Sequence, residues 1–138
     1  MSLSLEQKLA IHELLGRAAY AYDERDMDAL ESSFDLHAVM TMRIARGDLM
    51  GPFEGRAGIM QLMKNSMSQQ TDVRRHVISN IFFESTGEQP VVISNLTLLA
   101  TQDGVASLLA TGVYRDTLVA DGGTWRIRSR HVELDSSY

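Results

Sequence analysis

Val73-Arg74-Arg75-His76-Val77-Ile78-Ser79-Asn80-Ile81-Phe82-Phe83-Glu84 begins the second half of the chain, and its reading decides the fold. Apolar and β-branched residues recur with a period of two, the pattern of a half-buried strand rather than a helix. On that alternation His76 shares a face with Ile78, Asn80 and Phe82, a mostly apolar face that should point inward. Three further segments keep the same period: Pro90–Ala100, Val105–Leu118 and Thr124–Leu134. Gly87, Asp103-Gly104 and Asp121-Gly122-Gly123 supply the turns between them. Four consecutive strands joined by short turns form an antiparallel meander.

Upstream the period changes to that of helices. Ser4 and Gln7 form a capping box, and Ile11, Leu14, Leu15, Ala18 and Tyr22 lie on one apolar stripe, with Asp23 on its flank at the helix end. Asp26 caps a short second helix from Met27 to about Phe34, whose inner face is Met27, Leu30 and Phe34. A hairpin follows, Val39–Ile44 returning through Gly47-Asp48 to about Phe53. A third helix, Gly55 to Ser66, buries Ile59, Met60, Leu62, Met63 and Met67. No linker or repeat interrupts the chain, so residues 1–138 form one domain. Helices first and a long meander after them define an α+β domain, with three helices packed on one face of a strongly curved, mainly antiparallel six-stranded sheet.

Composition removes several function classes. A chain of 138 residues with 44% apolar residues and two prolines can bury a sizeable core. A formal charge of −5 opposes binding to nucleic acid, whose phosphates demand a basic surface. Without cysteine there is no disulfide, no thiolate nucleophile and no Rieske cluster ligation. The N-terminal residues lack the basic and apolar regions of a signal peptide, and no apolar run approaches the ~20 residues that span a bilayer, so a cytoplasmic protein with no membrane association is expected. His12, His37 and His131 lack metal-ligand spacing, and neither a G-x-G-x-x-G loop nor a G-x-S-x-G elbow is present. No metal and no cofactor are expected.

Several residues can carry chemistry. His76 is either a proton-transfer group in a pocket or a core histidine satisfied by a backbone carbonyl. Tyr22 follows the stripe of the first helix, so its ring packs in the core or its hydroxyl reaches a pocket. Tyr114 shares a strand face with Gly112 and Asp116, and Asp116 is either an acid partner in a pocket or the ion-pair partner of a neighbouring arginine. Arg126, Arg128 and Arg130 alternate on the last strand. Arg128 or Arg130 is the candidate to enter a pocket and hold a leaving group or a substrate carboxylate, and the alternation does not choose between them. Met40, Met42, Met50, Met60, Met63 and Met67 gather around the hairpin and third helix, either as core or as the mouth of a pocket for a hydrophobic ligand.

This order of elements resembles the SnoaL-like, or nuclear-transport-factor-2-like, superfamily, in which a bent sheet wraps a long helix as a cone enclosing an apolar pocket. The similarity covers essentially the whole chain. Tyr20-Ala21-Tyr22-Asp23-Glu24-Arg25-Asp26 is similar to the dehydratase and dehydrochlorinase members, such as scytalone dehydratase. In those, an aspartate at the end of the first helix holds a histidine on the first long strand, and Asp23 and His76 match the two positions. The resemblance implies that Tyr22 polarises a substrate carbonyl, and the strand faces and methionine cluster above make Met42, Met63, Asn80, Tyr114 and Arg128 or Arg130 the expected substrate contacts. A second catalytic histidine of scytalone dehydratase has no counterpart in Ala110-Thr111-Gly112-Val113-Tyr114. Arg75-His76-Val77-Ile78-Ser79-Asn80, Ser94-Asn95, Tyr114-Arg115-Asp116 and Trp125-Arg126-Ile127 also resemble the β subunit of aromatic-ring-hydroxylating dioxygenases.

Three functions follow. The first is a cofactor-independent lyase or isomerase of dehydratase type, acting on a small hydrophobic or aromatic, even polycyclic, molecule. The second is a non-catalytic subunit requiring a dioxygenase α subunit. The third is a small-molecule-binding protein without turnover. The resemblance also implies a homodimer or homotrimer.

Overall fold

The computed structural model describes residues 2–138. Its described residues form helix α1 (Leu5–Glu24), helix α2 (Met27–Ser32), strands β1 (Phe34–Ile44) and β2 (Met50–Glu54), helix α3 (Gly55–Ser68) and strands β3 (Val73–Ser85), β4 (Val91–Gln102), β5 (Val105–Asp121) and β6 (Thr124–Leu134). The six strands make one sheet in the order β2-β1-β6-β5-β4-β3. All neighbouring strands are antiparallel except β1 and β6, which run parallel and close the meander onto the first hairpin.

The expected capping box forms at the start of α1: Gln7 N–H donates to Ser4 Oγ (3.1 Å) and Ser4 N–H to Gln7 Oε1 (2.8 Å). The helix stops at Arg25, whose left-handed φ of 56° turns the chain toward α2. Ile11, Leu15 and Ala18 on α1 and Ile59 and Met63 on α3 are buried against the inner face of the sheet, which contributes Leu118 and Ile127. These elements form an α+β domain with helices on one face of a curved sheet.

Several element ends shift by one to three residues, and the largest difference from the sequence expectation is at the start of β1. The second helix ends at Ser32, and β1 begins at Phe34 rather than Val39. Strand β6 captures the chain there: Ile127 N–H donates to the Ser33 carbonyl (2.8 Å), and Phe34 pairs with Ile127. The periodicity places Phe34 inside on either assignment, so it cannot tell the last residue of the helix from the first of the strand.

Two bulges set which side chains face inward. Between the pairs Ser79–Asn95 and Phe82–Ile93, β3 carries one residue more than β4, and Asn80 adopts a left-handed φ of 53°. Between Leu118–Ile127 and Thr117–Ser129, β6 carries one residue more than β5, at Arg128. Each extra residue bends its strand and exchanges the inner and outer faces beyond it.

At Gly112 the two central strands come so close that an added Cβ would lie 2.3 Å from the Glu133 carbonyl oxygen of β6. Gly112→Ala is expected to lower stability by about 1–3 kcal/mol through forced separation of β5 from β6, read as a lower urea midpoint. An unchanged midpoint would contradict that close approach.

Candidate active site

Asp23 ends α1 beside the free edge of β3, and both of its carboxylate oxygens are used on one residue. The His76 backbone N–H donates to Oδ2 (2.8 Å), and the His76 ring meets Oδ1 through Nδ1 at 2.5 Å. An ionised carboxylate only accepts, so this contact suits the tautomer with the proton on Nδ1, in which a neutral ring keeps a bare lone pair on Nε2. The Asp23 side chain is 5% exposed and that of His76 14%. The Tyr22 ring stands edge-on to the imidazole, 4.9 Å between centroids at 68°, and its hydroxyl accepts a hydrogen bond from Gln70 Nε2 at 3.1 Å. Burial pushes the Tyr22 phenol above its usual value, against the lowering effect of that bond.

His76 lines a cavity of about 230 Å³ between α1, α3 and the inner face of the sheet. Its wall is largely apolar: Leu15 and Ala18 from α1, Leu96 and Leu98 from β4, and four methionines, Met40, Met42, Met50 and Met63. The polar wall groups include Tyr22, Tyr114 and Arg130. Arg130 lies directly across the ladder from Asp116. Its Nε and Nη2 donate to the two Asp116 oxygens at 2.7 and 2.9 Å, and the guanidinium stacks 4.2 Å from the centroid of the Tyr114 ring. Asp116 is fully buried (0% exposed). Burial opposes the Arg130 charge, but the Asp116 carboxylate and its hydrogen bonds outweigh that and raise the arginine above its usual value. Burial pushes the Tyr114 phenol up to about 12, even with a cation stacked on its ring.

Tyr114 therefore stays protonated in the folded protein where an unfolded tyrosine, with a pKa near 10, ionises. The native state then binds more protons than the unfolded state from about pH 10 to about pH 12, and stability falls as pH rises through that window. Alkaline absorbance titration of wild type against Tyr114→Phe is expected to show that the lost phenol is one titrating near pH 12. Loss of a phenol titrating near pH 10 would contradict its burial.

The bulges decide where the remaining candidates point. Arg128 occupies the β6 bulge outside the cavity, where it faces Asp35 at 3.8 Å and donates to the His37 carbonyl. Arg126 also lies outside, pairing with Asp121. Beyond the bulge the inner face continues as Arg130, Val132 and Leu134. The Asn80 bulge removes Asn80 and Phe82 from the inner face: both are exposed, and Ile81 and Phe83 pack on the core instead. His131 lies on the outer face, bonded to Thr41 Oγ1 (2.6 Å) and Glu133 Oε1 (2.8 Å). Among the described residues, no group of three His, Cys, Asp or Glu side chains is placed to hold a metal, and no helix is long and apolar enough to cross a membrane.

Two residues of the surroundings, Gln70 and Tyr138, carried no signal in the sequence, and a third, Ser94, entered only through the resemblance to the dioxygenase β subunit. Gln70, in the loop after α3, reaches Tyr22 and is itself held through its carbonyl by Arg25 (3.0 Å). Tyr138 lines the cavity from an exposed position, its ring 5.3 Å from the Arg74 guanidinium. Ser94, opposite Tyr114 in the ladder and fully buried, has no hydrogen-bond partner for its hydroxyl among the described residues.

Residues 3–131 match the model of the SnoaL-like domain. The chain belongs to the SnoaL-like family. No curated protein matches it, but solved structures do. Aln2 from a Streptomyces species is 22% identical, with 98% of this chain and 95% of that one covered and a TM-score of 0.82. A Catenulispora acidiphila protein in complex with S-DNPA is 20% identical, with 96% of each chain covered and a TM-score of 0.82. The β subunit of benzoate 1,2-dioxygenase from Burkholderia mallei is 23% identical, with 97% and 92% covered and a TM-score of 0.77. At these identities the likeness establishes the fold of this SnoaL-like domain, and its chemistry has to be argued from its own side chains.

Proposed function

We propose that this SnoaL-like domain is a cofactor-independent lyase or isomerase of dehydratase type, in which His76 moves a proton and Asp23 fixes its tautomer. The observation that carries this is the 2.5 Å contact between Asp23 and His76 Nδ1, with the ring forming part of the wall of an apolar cavity. In the forward step His76 Nε2 removes a proton from carbon next to a substrate carbonyl, and Asp23 stabilises the imidazolium formed. Arg130 and the neutral hydroxyls of Tyr22 and Tyr114 are the donors available to the developing enolate oxygen. In elimination the C–O bond β to the carbonyl then breaks, the leaving hydroxide takes the proton from Nε2 to depart as water, and a C=C bond remains. In isomerisation the same proton returns to a different carbon. Either way the ring ends the cycle as it began.

The cavity limits the substrate. An apolar cavity of roughly 150 Å³ holds one benzene, so about 230 Å³ suits one or two rings rather than a larger polycycle. The test is incorporation of solvent deuterium next to the carbonyl of small ring ketones such as 2-tetralone. Saturable exchange well above the buffer rate is expected for at least one of them. Exchange at the buffer rate across a panel of one- and two-ring ketones would remove the reading.

A second reading is a subunit role, favoured by the outer sheet face, where Val77, Leu99 and Val113 are exposed together on β3, β4 and β5. A second copy in a homodimer or homotrimer, or a larger catalytic chain such as a dioxygenase α subunit, would cover this face. Light scattering of the purified protein separates the homo-oligomer from a chain that requires a different partner.

A further inference from the structure

We infer that the cavity accepts an uncharged, oxygen-bearing ring compound, a ketone or an undissociated phenol, and rejects carboxylates, because the arginine that would clamp a carboxylate is already clamped by Asp116. This deepens the proton-transfer reading and rests on it only in identifying the cavity as the substrate site.

One bidentate edge of the Arg130 fork, Nε–H with an Nη2–H, is engaged by Asp116 at 2.7 and 2.9 Å, so a second carboxylate on the other edge would find the guanidinium charge already balanced. Asp116 has no access to solvent, so exchanging it for a ligand carboxylate would leave a buried, unpaired charge. What Arg130 retains is its other N–H groups, which suit a neutral acceptor such as a carbonyl oxygen. The charge around the cavity agrees. Asp116 balances the guanidinium of Arg130, and the Asp23 carboxylate lies against the His76 ring, so the wall offers an incoming anion no unpaired cation. Arg74, beside Tyr138, is likewise paired, with Asp72 at 2.9 Å. In a poorly hydrated site an anion without its own counter-charge loses its hydration uncompensated.

The tyrosines of the wall show the same preference. Tyr114 lies against the cation, yet burial still holds its phenol neutral, and Tyr22 is shifted the same way. A guest phenol would meet the same surroundings. Proton abstraction remains compatible with this, because the enolate and the imidazolium form together and the net charge of the cavity does not change.

The test is calorimetric binding of a near-isosteric pair, 2-acetylnaphthalene and 2-naphthoate at neutral pH, to the intact protein. A buried carboxylate without a counter-charge is strongly disfavoured, so the ketone is expected to bind about 100-fold more tightly or better. Equal affinity, or tighter binding of the naphthoate, would overturn the inference. Binding of neither would also overturn it, since the cavity would then take no ring compound of this size. In Asp116→Asn, which frees the fork, naphthoate affinity is expected to rise; if that variant does not fold, the wild-type pair still decides. Deuterium exchange is measured separately, so selectivity for the ketone without exchange removes the proton-transfer reading and leaves this one standing.

Discussion

His76→Ala is expected to lower the rate of deuterium exchange, or of turnover once a substrate is in hand, by about 10²–10⁴-fold, the range for a positioned general base. The ring lines a cavity but also bonds the nearly buried Asp23 carboxylate, so its removal should lower the thermal midpoint somewhat while leaving the protein folded at assay temperature. Asp23→Asn acts through the histidine. An amide in place of the carboxylate no longer fixes the proton on Nδ1, and kcat should fall while KM stays near its wild-type value. Loss of activity accompanied by a comparable loss of folding in both variants would point to a structural role for the pair.

Asp116→Ala is expected to destabilise the fold by about 3–5 kcal/mol, because it leaves the Arg130 guanidinium buried with no counter-charge. The pair spans β5 and β6 with Asp116 wholly enclosed and the Arg130 side chain 10% exposed. Removing both charges, as in Asp116→Leu with Arg130→Met, should restore most of that loss while weakening the binding of ketones. Urea denaturation measures both variants. A single-variant loss below about 1 kcal/mol would mean that the pair behaves as a surface ion pair.

Much of the architecture is legible in the chain because its periodicities are clean. The shift from the stripe Ile11–Leu15–Ala18 to the alternation of Arg75–Ile78 marks where helices give way to strands, and turn residues delimit the meander. The parallel closure of β1 on β6 is not legible, since pairing between distant strands leaves no local pattern. The site divides the same way. That Asp23 lies beside His76 follows from family resemblance, because a separation of 53 residues carries no periodic signal. Strict alternation assigns Asn80 to the face of His76 and gives Arg128 and Arg130 the same standing. Two single-residue bulges change this, sending Asn80 outward and bringing Arg130 alone to the cavity. A residue added to one strand is invisible until the register of its partner is known.

The charge state of His76 at rest can be observed without a substrate. A long-range ¹H–¹⁵N correlation spectrum of the ¹⁵N-labelled protein at neutral pH, assigned by comparison with His76→Ala, reports which ring nitrogen carries a proton. A protonated Nδ1 and a bare Nε2 are expected, the form in which Asp23 holds the ring and the free lone pair serves as the base. A proton on Nε2, whether as the opposite tautomer or as a resting imidazolium, would leave His76 with nothing to accept a substrate proton and would contradict its role as the base.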